Sequence, residues 1–264
     1  MKKYLAYYES EWPANIAELT AVENKPFVGY LKGAEVQYTF IPKPVVSGPW
    51  VTFTAEEDNS SIGLEKLSTN QTLEYSQDGS NWSNMNTSTN ISLNNGDKVY
   101  VRGVLRADNT SSNYTQFKMS GKIAATGNCN ALWNYEDLNA SLKKSCGYGM
   151  FGYCTSLTTA PELPATTLAE SCYQAMFVEC GIHAAPELPA PTLTTGCYTM
   201  MFNGCKNIAY IKCLAEDVTV NSHSFWWTKG VPAAGIFIKS PKCSNWTTGD
   251  GGIPSGWTVE DAVL

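Results

Sequence analysis

The chain has 264 residues, 43% of them hydrophobic, and a formal net charge of −6, enough for one large or two ordinary domains with a real core. Charged residues make up only 16%, against roughly 25% in ordinary soluble domains, so Ser, Thr, Asn and Gln must supply much of the polar surface. No basic run exceeds two residues and no stretch of about 20 apolar residues occurs, which argues against a nucleic-acid partner and against a membrane-spanning helix.

The N-terminal Met1-Lys2-Lys3 is followed by a short apolar run, Tyr4 to Tyr8, and then by Glu9 and Glu11. That run is shorter than the apolar stretch of an export signal, so the segment reads as uncleaved. Residues 1–44 form a lead-in with two strand-like runs, Pro26–Leu31 and Glu35–Phe40. A lone hairpin cannot build its own core. Tyr7, Tyr8, Trp12, Phe27 and Tyr30 are therefore candidate anchor residues through which the segment packs on another chain. Pro42, Pro44, Gly48 and Pro49 punctuate a linker.

Residues 45–126 alternate apolar and polar positions in short runs separated by turn residues. Trp50–Thr54 and Lys98–Val104 read as strands, and Asp78-Gly79 marks a hairpin turn between Thr72–Ser76 and Trp82–Met85. About seven such strands predict an antiparallel β-sandwich of immunoglobulin-like type.

Residues 127–264 carry an internal repeat. Cys146-Gly-Tyr-Gly-Met150-Phe151-Gly-Tyr-Cys154 recurs as Cys172 to Cys180 and as Cys197 to Cys205, with Ala-Pro-Glu-Leu-Pro-Ala from Ala160 and again from Ala185 between the copies. A fixed period of this size predicts units that bury their apolar faces only against their neighbours. The runs Leu157–Leu163, Ile182–Leu188 and Ile208–Leu214 read as strands. Leu142, Cys146, Met150 and Cys154 are four apart, as are their counterparts, and this spacing predicts a short helix in each unit. The fold class expected is thus α+β, with the sandwich followed by a short solenoid of strand-helix units. The Trp-rich tail, from Trp226 onward, would close it as a C-terminal cap.

Met150-Phe-x-x-Cys-Thr-Ser-Leu-Thr-Thr-Ala-Pro-Glu-Leu-Pro-Ala-Thr-Thr-Leu168, with the closing Gly252-Ile-Pro-Ser-Gly-Trp-Thr-Val259, resembles the BspA-type leucine-rich repeats of Bacteroidales surface proteins and of phages infecting those bacteria. The resemblance covers residues 127–264 and implies adhesion to proteins or glycans, with no catalytic motif to carry over. Joined to the uncleaved start and the apolar lead-in, it leads to the expectation of a non-enzymatic virion protein of a Bacteroidales phage. Such a head-fibre, tail-fibre or decoration protein would bind a bacterial surface glycan or protein and hold other virion proteins through its N-terminus. It would form a homo-oligomer, a trimer by analogy with fibres. The alternative is a BspA-type adhesin on the bacterial cell surface.

No catalytic residue, cofactor or metal site is expected. The nine cysteines show no CxxC pair and most sit on the apolar stripe, so they read as buried thiols. The ligand-contact candidates are Trp226, Trp227 and Trp246 in the cap, His183 on the outer strand face, and Glu162 and Glu187 one repeat apart. Paired carboxylates also suit glycoside hydrolysis, but here repetition of the motif accounts for the pair.

Overall fold

The structure is a computed structural model that describes the strand segments 4–6, 26–31 and 34–40 and residues 48–219 and 226–263. The chain divides into two compact units, Met1–Gly48 and Pro49–Leu264. In the first unit, β1 (Tyr4–Ala6), β2 (Pro26–Leu31) and β3 (Ala34–Phe40) form one sheet in the order β1-β3-β2. β2 and β3 pair antiparallel, with Leu31 opposite Ala34, and β1 adds in parallel to β3.

The second unit begins with eight strands: β4 (Val51–Ala55), β5 (Ser60–Lys66), β6 (Gln71–Ser76), β7 (Ser83–Met85), β8 (Asn90–Leu93), β9 (Lys98–Leu105), β10 (Gln116–Ser120) and β11 (Ile123–Thr126). β10-β5-β8 make one sheet; β7-β6-β9-β4-β11 make another, which β12 (Leu157–Thr159) extends. Alternation sets the faces. Val51 and Phe53 of β4, Val99 and Val101 of β9, and Ile62 and Leu64 of β5 are buried. Phe53 meets Phe117 of β10 at 5.2 Å between ring centroids, so the two inner faces share one core.

The helices expected in the repeat are not formed. Among the described residues the only helical element is a 3-10 turn at Cys129–Leu132. The α+β class with its strand-helix units is therefore corrected: the chain is nearly all β, and each Cys-x-x-x-Met-Phe-x-x-Cys segment is a ribbon of consecutive turns.

The backbone gives the reason. Every fourth residue of a ribbon is left-handed: Ser145, Gly149 and Tyr153, then Ser171, Ala175 and Glu179, then Gly196, Met200 and Gly204. A left-handed residue ends an α-helix. It does so here after each single turn. The N–H groups then divide in strict alternation. Cys146, Tyr148, Met150, Gly152 and Cys154 donate to the carbonyl three residues back. Ser145, Gly147, Gly149, Phe151 and Tyr153 donate instead to Glu170, Cys172, Gln174, Met176 and Val178 of the next ribbon, at 2.7–3.0 Å. The second ribbon repeats the scheme toward the third. Backbone donors that a helix would satisfy internally thus become the bonds between repeats.

The strand side of the repeat is a parallel ladder: β12, bridges at Ala184 and Leu188, β13 (Tyr210–Cys213), β14 (Ile236–Lys239) and β15 (Thr258–Asp261). Prolines control how much strand forms. Pro161 and Pro186 lack the N–H that a ladder needs. β12 accordingly stops at Thr159, and the second copy is reduced to isolated bridges, Ala184 to Tyr210 and Leu188 to Cys213. The third copy has no proline and forms β13.

Two aromatic columns fill the interior. Phe117, Phe151, Phe177 and Phe202 stack at 5.2, 5.5 and 6.0 Å with interplanar angles of 10–12°. Tyr173, Tyr198, Trp227 and Trp246 stack at 6.3, 6.1 and 5.6 Å. The Phe column starts on β10, so the core runs unbroken from the two-sheet layer into the repeats.

Two stability outcomes follow from this packing. Phe177→Ala, in the middle of its column, is expected to cost about 3–5 kcal/mol in urea unfolding. Ala175→Gly separates ribbon from helix: in a helix it would cost about 1 kcal/mol. At the observed φ of 53° it should instead raise stability by about 0.5 kcal/mol, read as a higher urea midpoint.

Candidate functional site

The parallel ladder exposes one face. On β13 and β14, Ile211, Cys213 and Phe237 are buried, whereas Tyr210 and Ile236 are 37% and 40% exposed. Pairing places Ala184, Tyr210, Ile236 and Thr258 side by side, one from each successive repeat. The next outward row is Lys212, Ile238 and Glu260. Lys212 Nζ bonds Glu187 Oε2 at 2.9 Å, and this partner raises the lysine's pKa. The result is an apolar stripe across the ladder with a charged border.

His183 stands at the beginning of the stripe. It is exposed and lines a groove with Glu56, Lys122, Thr158, Thr159 and Ala184, where the two-sheet layer meets the repeats. Its Nδ1 lies 3.3 Å from the Thr158 carbonyl, and Thr158 Oγ1 donates to Glu56 Oε2 at 2.7 Å. Glu162 and Glu187 share a second shallow groove with Leu163, Pro164, Pro186 and Pro189. Glu162 is tied by its backbone to Gly127 and Cys129, and Glu187 by its carboxylate to Lys212. Among the described residues, no group of three or more His, Cys, Asp or Glu is placed to hold a metal ion.

The three cap tryptophans do not share a face. Trp227 is fully buried, donates Nε1–H to the Gly252 carbonyl at 2.9 Å and stacks between Tyr198 and Trp246. Burial withdraws it from any ligand. Trp246 is half-buried, with its ring packed on Trp227 and on Phe237 at 5.1 Å. Trp226 is 42% exposed, with Lys229 Nζ 4.4 Å above its ring. Of the anchor candidates, Tyr7, Tyr8 and Trp12 lie outside the described residues. Phe27 and Tyr30 fall in β2, in register with Tyr38 and Glu35.

Sequence reasoning missed Tyr210 and Ile236. The signal was present in the third strand, where strict alternation sets Tyr210 on the face opposite Ile211. That copy has no Pro-Glu pair to mark the position.

All nine cysteines are buried and unpaired. Burial pushes the thiols of Cys146, Cys154, Cys205 and Cys213 up to about 12 and that of Cys197 to about 11. Several cross the repeats as donors: Cys180 Sγ to the Cys154 carbonyl at 3.2 Å, and Cys205 Sγ to that of Phe177 at 2.9 Å. Burial that raises a thiol's pKa lowers its thiolate fraction and with it its reactivity. Nor, among the described residues, is any helix long and apolar enough to cross a membrane.

A raised folded pKa means that the unfolded chain releases these protons first. Their contribution is complete below the unfolded thiol pKa of about 8.5 and is lost as pH rises toward about 12. Urea midpoints should therefore fall as pH rises from about 8.5 toward about 12, and a thiol reagent at pH 8 should titrate all nine cysteines only after denaturation.

Compared with protein-family models, with curated proteins and with solved structures, the chain finds no match.

Proposed function

We propose that this chain is a non-enzymatic virion protein of a phage infecting Bacteroidales, of head-fibre, tail-fibre or decoration type. It binds the host surface through its repeats and is anchored to other virion proteins by residues 1–44. The observation that carries this reading is the in-register stripe of Ala184, Tyr210, Ile236 and Thr258 on a rigid parallel ladder, continuous with the groove at His183. Strands about 4.8 Å apart offer one contact per repeat to an extended partner, which suits a surface glycan or protein. The similarity of Met150–Leu168 to BspA-type repeats supports the same role.

The unpaired thiols favour the virion over the exported adhesin. A core of nine buried cysteines without a disulfide suits folding in a reducing cytoplasm, where particles assemble. The shallow groove at Glu162 and Glu187 favours binding over glycoside hydrolysis. Glu187 is held in an ion pair at its rim and neither carboxylate is enclosed. Host attachment by weak single contacts gains from multiple copies, which supports a homo-oligomer, a trimer by analogy with fibres.

The test is adsorption of particles carrying Tyr210→Ala with Ile236→Ser. Host-cell binding is expected to fall at least tenfold with incorporation unchanged, while deletion of residues 1–44 abolishes incorporation. Unchanged adsorption by the double variant removes the stripe from the attachment step. Display of the chain on bacterial cells without particles favours the adhesin.

A further inference from the structure

The outer face of the sheet β7-β6-β9-β4-β11-β12 carries a cluster outside the stripe and the grooves. Arg102 of β9 projects outward, because its neighbours Val101 and Gly103 are buried. Its guanidinium carbon lies 3.9 Å from the ring centre of Trp82 and 4.3 Å from that of Tyr135. Trp50 extends the aromatic surface, 5.6 Å from Trp82 and 5.4 Å from Tyr100. Glu74, opposite Arg102 on β6, accepts from Nε at 2.9 Å.

This is more than a hydrophobic patch. A guanidinium has five N–H donors in one plane. Here the Nε donor goes to Glu74, and among the described residues the Nη groups have no hydrogen-bond partner. The side chain is still 21% exposed. The Trp82 and Tyr135 rings both pack against the cation. Trp50, Trp82 and Tyr135 are all half-buried, so ring surface is open beside those donors. Three half-open rings together with fixed in-plane donors and a carboxylate acceptor match a molecule with an apolar face and an equatorial rim of hydroxyls. Charge narrows the choice further. Glu74 already neutralises Arg102, so the cluster offers no net positive charge to a phosphate, sulfate or carboxylate.

We infer that this face, built on Trp82, Arg102, Tyr135, Trp50 and Glu74, is a binding platform for an uncharged glycan, separate from the repeat stripe. The sugar ring lies on Trp50, beside the Trp82 ring that carries Arg102, and its hydroxyls accept from the Arg102 Nη groups and donate to Glu74. The site requires no movement of the core, since β9 and β6 fix Arg102 and Glu74 in register.

The full-length chain would be applied to an array of immobilised glycans, neutral and anionic. Retention of neutral glycans is expected. Trp82→Ala should weaken it at least tenfold. Arg102→Lys, which keeps the charge but loses the planar donor fork, should weaken it at least fivefold at an unchanged melting temperature. Lys118→Ala, on the other sheet, should leave it within twofold. No retained neutral glycan, or retention of anionic glycans only, would overturn the platform. So would retention indifferent to Trp82→Ala and Arg102→Lys. Loss caused by the Tyr210 and Ile236 changes alone would place glycan recognition on the stripe and leave the proposed host attachment intact.

Discussion

The sharing of backbone N–H groups between and within the turn ribbons is the constraint on which the rest of the structure depends. Each ribbon keeps half of its donors for its own turns and gives the other half to its neighbour. A lone ribbon would leave five N–H groups without partners, and burying them so would cost about 1–3 kcal/mol each. The repeats therefore form as a stack or not at all. Left-handed residues at every fourth position are the means. They carry a conformational cost of about 1 kcal/mol each where the residue is not glycine, and the inter-repeat bonds offset it.

Close approach between ribbons explains the composition of the stripe. Gly147 has its Cβ position 3.0 Å from the Cys172 carbonyl, and Gly181 has its own 2.1 Å from that of Thr155. Cysteine is small and carries a weak donor, so in this spacing it fills volume and also reaches a carbonyl of another segment. Flat rings serve the same geometry, because parallel Phe and Tyr planes repeat at the ribbon spacing without steric growth. The stack needs two ends. Phe117 and β11 supply the first, where the two-sheet layer pairs in parallel with β12. At the other, Trp227 and Trp246 close the aromatic columns, and Glu260 and Asp261 place charge on the outer strand β15, which guards a free sheet edge.

The period, the apolar stripe and the strands of β4 and β9 were legible in the sequence, because each is a repetition of residue types. The ribbon was not. A spacing of four fits both a helix and a four-residue turn. A helix, however, would rotate such a ladder by about 40° per step, and three steps keep Leu142, Cys146, Met150 and Cys154 aligned only if no rotation occurs. Gly149, Gly196 and Gly204 fall on the left-handed register and were the available clue. It was diluted by Ser145, Tyr153, Ser171, Ala175, Glu179 and Met200, which occupy the same register without the usual preference for it. Tertiary hydrogen bonding overrode local propensity there. The same limit applies to the site. His183 and Trp227 are marked by residue type, whereas Tyr210 and Ile236 are marked only by the face they occupy. A tail tryptophan looks the same in sequence whether it ends a column, as Trp227 does, or meets solvent.

Backbone hydrogen bonding links the two faces of interest. The sheet β7-β6-β9-β4-β11-β12 meets the second repeat through the His183 N–H to the Thr158 carbonyl, and bridges at Ala184 and Leu188 join that repeat to the separate sheet of β13, β14 and β15. Tyr210 and Ile236 lie near one end of this succession, and Arg102 and Glu74 near the other. On the proposed reading, the stripe and the Arg102 face are two contact areas on one backbone-bonded unit. A second contact then costs little further freedom where a ligand spans both, so weak areas reinforce one another. A ligand of the wrong span gains only one of them. Specificity for an extended or clustered surface target then comes from spacing, with no single deep pocket.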